Sequence, residues 1–205
     1  GGKLQAEAMM AVLEIKKAAT PKGAPEPKFS FEAPPGDLEK LFKDTCFKKV
    51  DALLDVTKEL NNEGVLECVN LYLEIFKSQS AVLTTMASCS KPENPQFMVN
   101  IAKDKKNKMM AIEKKHRQFM NHIRCIEDSL NLFAWFLIPN EDKDAFYAQL
   151  ADFYGAIDFV GTKLQNNDLE KKWFRAFRCV QQDFYEFVKA HYPHILNWTG
   201  SNADA

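Results

Sequence analysis

Phe146-Tyr-Ala-Gln-Leu150-Ala-Asp-Phe153-Tyr-Gly-Ala-Ile157-Asp-Phe-Val160-Gly-Thr-Lys-Leu164 is the stretch that decides the fold. Its anchors Phe146, Leu150, Phe153, Ile157, Val160 and Leu164 are separated by 4, 3, 4, 3 and 4 residues. That spacing puts all of them on one helical face, whereas a strand would need strict alternation. Working outward, Trp173, Phe177, Val180, Phe184 and Phe187 form a stripe downstream. Upstream lie Phe119, Ile123, Ile126, Leu130, Phe133 and Leu137, then a weaker set, Met98, Ile101, Met109 and Ile112, interrupted by lysines. Leu66, Val69, Leu73, Phe76, Leu83 and Met86 form another, and Leu38, Phe42, Cys46, Val50 and Leu53 the first.

The joints between stripes carry their own signals. Asn61-Asn62-Glu63-Gly64 reads as a helix stop and turn, and Lys91-Pro92-Glu93-Asn94-Pro95 as a break. Pro139-Asn140-Glu141-Asp142 sets acids at the positive end of the next helix, and Asn166-Asn167-Asp168 ends one helix and caps another. The least marked joint falls near His116–Arg117. Six helices from Asp37 to about Trp198, joined by short loops, predict an all-α antiparallel six-helix bundle. Five of the nine prolines lie between Pro21 and Pro35, so 20–36 reads as an extended linker. Ahead of it, Leu4, Ala8, Ala11 and Ile15 share one face of a short amphipathic helix at 1–19, too short to be stable without a partner. Residues 199–205 read as a polar tail.

At 205 residues the chain suits one domain able to bury a core without staples. Its 27 basic and 28 acidic side chains exclude a wholesale nucleic-acid binder. The longest apolar run, Leu132–Ile138, is seven residues, far short of a membrane span. No secretory signal opens the sequence. The five cysteines include no Cys-x-x-Cys pair, which points to free thiols in a reducing, cytoplasmic setting rather than to zinc.

Enzyme chemistry needs a constellation, and the sequence offers none: no phosphate-binding glycine loop, nucleophile elbow or paired Glu-x-x-His. The expectation is a non-enzymatic protein without cofactor or metal. Two features rise above that background. Within 103–117, seven Lys/Arg against two acids give a local charge of +5, suited to docking on an acidic protein surface. The segment 137–198 also holds more aromatics than one core face needs, and Phe159 and Phe174 fall off the main stripe, as expected of a dimer interface.

With the helices placed, the chain resembles the N-terminal helical folded domain of cyclase-associated proteins. The resemblance rests on Phe76-Lys-Ser-Gln79 with Leu83, Ser90-Lys-Pro92, Glu113-Lys-Lys-His-Arg117, Met120-Asn-His122 and Ala134-Trp135. It continues through Asp152-Phe-Tyr154, Trp173-Phe174, Phe187-Val-Lys189, Trp198 and Ala203-Asp-Ala205. It implies a six-helix bundle behind a short oligomerising helix and a linker. It also implies binding to actin together with cofilin, and disassembly of cofilin-decorated filaments at pointed ends, on the actin cytoskeleton. The N-terminal helix of the family is linked to self-association and, in some members, to adenylyl cyclase; here Val12-Leu13-Glu14 keeps only the Leu-Glu of its motif. The contacts expected from the resemblance are Arg117, Asn121, Lys77 and Gln79, with Lys106, Lys114 and Lys115 steering association. The competing expectation is a helical scaffold with no direct actin contact.

Overall fold

The computed structural model describes residues 35–88, 93, 95 and 97–191. Helix α1 (Pro35–Cys46) begins two residues inside the stretch read as linker, because proline fits a first helical turn. It is followed by α2 (Val50–Glu59), α3 (Glu63–Ser88) and α4 (Phe97–Lys115). A 3-10 turn at Arg117–Phe119 leads into α5 (Met120–Ser129), which continues as a 3-10 segment through Leu130–Leu137. Next come α6 (Lys143–Tyr154), a 3-10 turn at Gly155–Ile157, the short α7 (Asp158–Gly161) and α8 (Asp168–His191). No strand occurs among the described residues. The six apolar stripes trace six helical legs there, and three of those legs are interrupted. The 1–19 helix, the linker up to 34 and the segment 192–205 lie outside the described residues.

Tertiary contacts accompany two of these interruptions. Between α1 and α2 the backbone leaves the helix at Lys49 (φ −111°, ψ 5°). This lets the Phe47 ring reach Phe42 at 5.4 Å and Phe76 at 5.3 Å. At Gly155 the tightened turn leaves the Tyr154 carbonyl for Arg178, which donates to it at 2.8 Å. The same guanidinium pairs with Asp158 at 2.7 Å and lies 3.8 Å over the Tyr154 ring. Caps follow the sequence signals: Asp142 accepts from the Asp144 and Ala145 backbone N–H groups, and Asn167 from Glu170.

Helix α8 runs antiparallel to α1 and α2, pairing Cys46 with Asp183 and Thr57 with Trp173. Between them an aromatic centre gathers Phe42, Tyr72, Phe76, Phe133, Phe177, Phe184 and Phe187, with ring centroids from 4.9 to 6.1 Å apart in the pairs that link them. Each such ring contributes ~1.5–3 kcal/mol by burial, and each well-placed pair ~0.5–1.5 beyond it. Both described tryptophans are buried with the indole N–H satisfied: Trp135 donates to Gln79 at 2.9 Å and Trp173 to Thr57 at 3.0 Å. Cys46 and Cys125 sit in the core, where burial pushes their thiols well above the usual range.

The weakest stripe is only partly the buried one. In α4 the buried set is Val99, Ala102, Lys106 and Met109, while Ile101 is 45% exposed and Met98 and Ile112 are only partly covered. The spacing 3, 4, 3 of the true stripe includes a lysine, which an apolar template passes over.

Candidate functional site

The joint between α4 and α5 is where the exposed cations gather. Lys114 and Lys115 complement the negative end of the α4 dipole. The chain then leaves the helix at His116 (φ −125°, ψ 55°). Its N–H still closes on the carbonyls of Ile112 and Glu113, at 3.1 and 3.2 Å, and its own carbonyl accepts from Phe119 N–H at 2.9 Å, closing the 3-10 turn. Glu113 ties the last turn of α4 to α5 by accepting from Arg124 at 3.0 Å.

The joint leans on the α2–α3 turn. Asn61 takes the left-handed conformation (φ 51°) that an asparagine tolerates. Asn62 then accepts from Val65 N–H at 3.0 Å as the cap of α3, and its amide nitrogen lies 3.3 Å from His116 Nδ1. The backbone at Gly64 is so close that a Cβ there would stand 2.5 Å from the His116 ring, so any larger residue would push the ring aside. Asn62, Lys114, Lys115, His116, Arg117, Gln118 and Phe119 line a solvent-open depression of roughly 400 Å³. Such a surface suits a carboxylate: Arg117 offers a two-pronged donor, with two ammonium groups beside it.

The structure brings together Arg117, Lys114 and Lys115, all exposed on this joint. Asn121 is half-buried in the first turn of α5, outside the depression. Lys77 is exposed but far off; the 13 residues of α3 from Gly64 to Lys77 span roughly 20 Å of helix. Gln79 is 3% exposed and occupied by the Trp135 indole and the Ile75 carbonyl, so it holds the core and offers no surface contact.

Lys106 is likewise withdrawn from the surface at 3% exposure, on the inner face of α4. Burial pushes its ammonium down to about 8 despite the opposing pull of Glu127 and Asp128. Glu127 on α5 is also buried, and desolvation, with Glu113 adding repulsion, pushes it up to about 7. Lys105 is committed too, paired with Glu74 of α3. The basic run at 103–108 is therefore divided among a core, a cross-helix pair and a solvated edge.

The two aromatics expected at a dimer interface part company. Phe159 is 72% exposed, with the Lys163 ammonium 4.8 Å from its ring centroid. Phe174 is half-buried against Gly161, where a Cβ would stand 2.4 Å from its ring, so it serves the α7–α8 contact inside the chain. His116, Asn62 and Gly64 were not expected as one unit. Both turns were legible, but their pairing joins positions 54 residues apart, which no local pattern carries.

Comparison with known proteins is consistent across sequence and structure. Residues 42–196 match the family described as CAP, N-terminal domain. A curated relative, cyclase-associated protein 1 of Arabidopsis thaliana, is 29% identical over 163 residues, covering 75% of this chain. The match takes in 32% of that relative, so the chain spans about a third of its length. The N-terminal domain of the adenylyl cyclase-associated protein from Dictyostelium discoideum superposes with a TM-score of 0.67 at 15% identity, covering 81% of this chain and 97% of that one. A crystal structure of the N-terminal domain of CAP, described as indicating variable oligomerisation, superposes with a TM-score of 0.69 at 16% identity, covering 89% and 97%. The family match over residues 42–196, the curated relative and the shared bundle agree, and the chain belongs to the CAP N-terminal domain family.

Proposed function

We propose that this chain is a non-enzymatic actin-turnover module, which docks on cofilin-decorated actin through the Lys114–Arg117 joint and promotes disassembly at pointed ends. The observation that carries the reading is the exposed guanidinium of Arg117, with no side-chain partner among the described residues, on a chain of this family. Lys114 and Lys115 flank it and add long-range attraction to an acidic face. Lys77 belongs to a separate patch on α3, and Asn121 orients the turn that follows Arg117. Association with adenylyl cyclase through the N-terminal helix, and self-association through Phe159, are further parts of the reading.

The test is actin disassembly with and without cofilin, comparing the parent chain with Arg117→Ala. A charged hydrogen bond contributes ~1.5–3 kcal/mol, so the substitution weakens binding roughly 10- to 100-fold. Helicity and melting temperature stay unchanged, because Arg117 supports nothing inside the bundle. Equal activity of Arg117→Ala and parent would remove the joint from the reading.

A further inference from the structure

We propose that His116 is a proton-dependent positioning residue, whose neutral ring, held as an acceptor by Asn62, sets the turn that presents Arg117. The consequence for docking rests on the reading of Arg117 above; the latch itself does not.

The roles at this contact are fixed by what lies behind it. The side-chain oxygen of Asn62 is already occupied by the Val65 N–H at 3.0 Å. The opposite end of the carboxamide, its NH2 group, is what meets His116 Nδ1 at 3.3 Å. Turning the amide over would set two donors face to face at Val65. His116 therefore presents a lone pair at Nδ1, and a neutral imidazole does so only with its proton on Nε2. Protonation puts an N–H on Nδ1 and replaces a hydrogen bond with a donor–donor contact.

The protonated ring gains no compensating partner. Lys114 and Lys115 end α4, Arg117 opens the 3-10 turn, and all three line the same depression as the ring. Glu113 is engaged with Arg124, and Glu63, on the first turn of α3, is solvent-exposed. No carboxylate pairs with the His116 ring among the described residues. Nor can the ring settle closer to α3, since the Gly64 backbone already presses on it. The His116 carbonyl closes the turn from Arg117 to Phe119, so ring and turn share one residue, and loss of the ring's anchor loosens the turn. His122, in the next helix, is buried and pushed down to about 4, so it stays neutral where an ordinary imidazole titrates.

The experiment is hydrogen–deuterium exchange on the full chain at about pH 5.8 and 7.8, which bracket ordinary imidazole titration, after correction for intrinsic rates. In the parent, protection of the Phe119 amide falls at the lower pH by roughly 2- to 10-fold, the equivalent of one neutral hydrogen bond. His116→Gln abolishes the difference. Asn62→Asp keeps the cap but offers a carboxylate to the ring, so protection rises on acidification instead. Asn62→Ser, which also caps but cannot reach the ring as a donor, shows no pH response. Parent protection that is equal at both pH values, or Asn62→Asp moving in the parent's direction, overturns the latch. If the exchange results hold and the parent fails to disassemble actin at either pH, the latch stands and the actin reading falls.

Discussion

Lys106 and Glu127 face the interior from adjacent helices, and Lys106 Nζ and Glu127 Oε1 have no hydrogen-bond partner among the described residues. Their titrations pull the fold in opposite directions. Glu127 is raised from an ordinary 4.5 to about 7, so its contribution is whole below 4.5 and lost as pH rises through 7. Lys106 is lowered from 10.5 to about 8, so its contribution is whole above 10.5 and lost as pH falls through 8. Between these two values, at about pH 7.5, both are largely charged and poorly solvated. Replacing buried ions by apolar groups of similar volume is often stabilising, by ~1–4 kcal/mol. Lys106→Met with Glu127→Leu is therefore more stable than the parent at about pH 7.5, and by a wider margin there than at pH 5, in urea titrations. Lys106→Met alone is less stable, since it strands the carboxylate. Neither residue was legible as core. A lysine among Lys103, Lys105 and Lys108 reads as solvated, and only its phase with Val99, Ala102 and Met109 betrays it. Gln79 hides the same way, three residues after Phe76 and four before Leu83.

Helices were legible where the apolar anchors are large and the caps are polar. Phe146 to Leu164 fixed one leg, and all six anchors are buried. Asp142 announced the start of α6, and it caps two backbone N–H groups there. Asp142→Ala leaves those donors to water and costs ~1 kcal/mol, read as a lower denaturation midpoint with protection lost first at Asp144 and Ala145. The break at Phe47–Lys49 was not legible, because nothing in Cys46-Phe-Lys-Lys-Val50 is a helix breaker; tertiary packing of Phe47 onto Phe42 and Phe76 decides it. Phe174 likewise looked surplus only because its partner, Gly161, carries no side chain to signal the contact. At the site, Arg117 was read from the sequence and its support was not, for Asn62 and His116 meet only once α3 and α4 lie antiparallel.

For the molecule as a whole, Phe159 is the exposed large aromatic among the described residues, with Ile101 the other large apolar side chain in the open. An aromatic so displayed, with a lysine across its face, is suited to an interface between copies. Phe159→Glu is expected to leave the melting temperature unchanged and to shift sedimentation at high concentration towards monomer. A parent that sediments only as monomer under the same conditions would remove Phe159 from the self-association reading.

The antiparallel contact of α8 with α1 also sets a timetable for synthesis. Cys46 meets the Asp183 carbonyl across 137 residues of chain. At ~5–20 residues per second, a ribosome needs roughly 7–27 s to make that interval. Until the last helix emerges, Phe42 and Phe76 lack Phe184 and Phe187, and Thr57 lacks the Trp173 indole. Through that interval the aromatic centre lacks its α8 side, and the bundle closes only when that helix arrives.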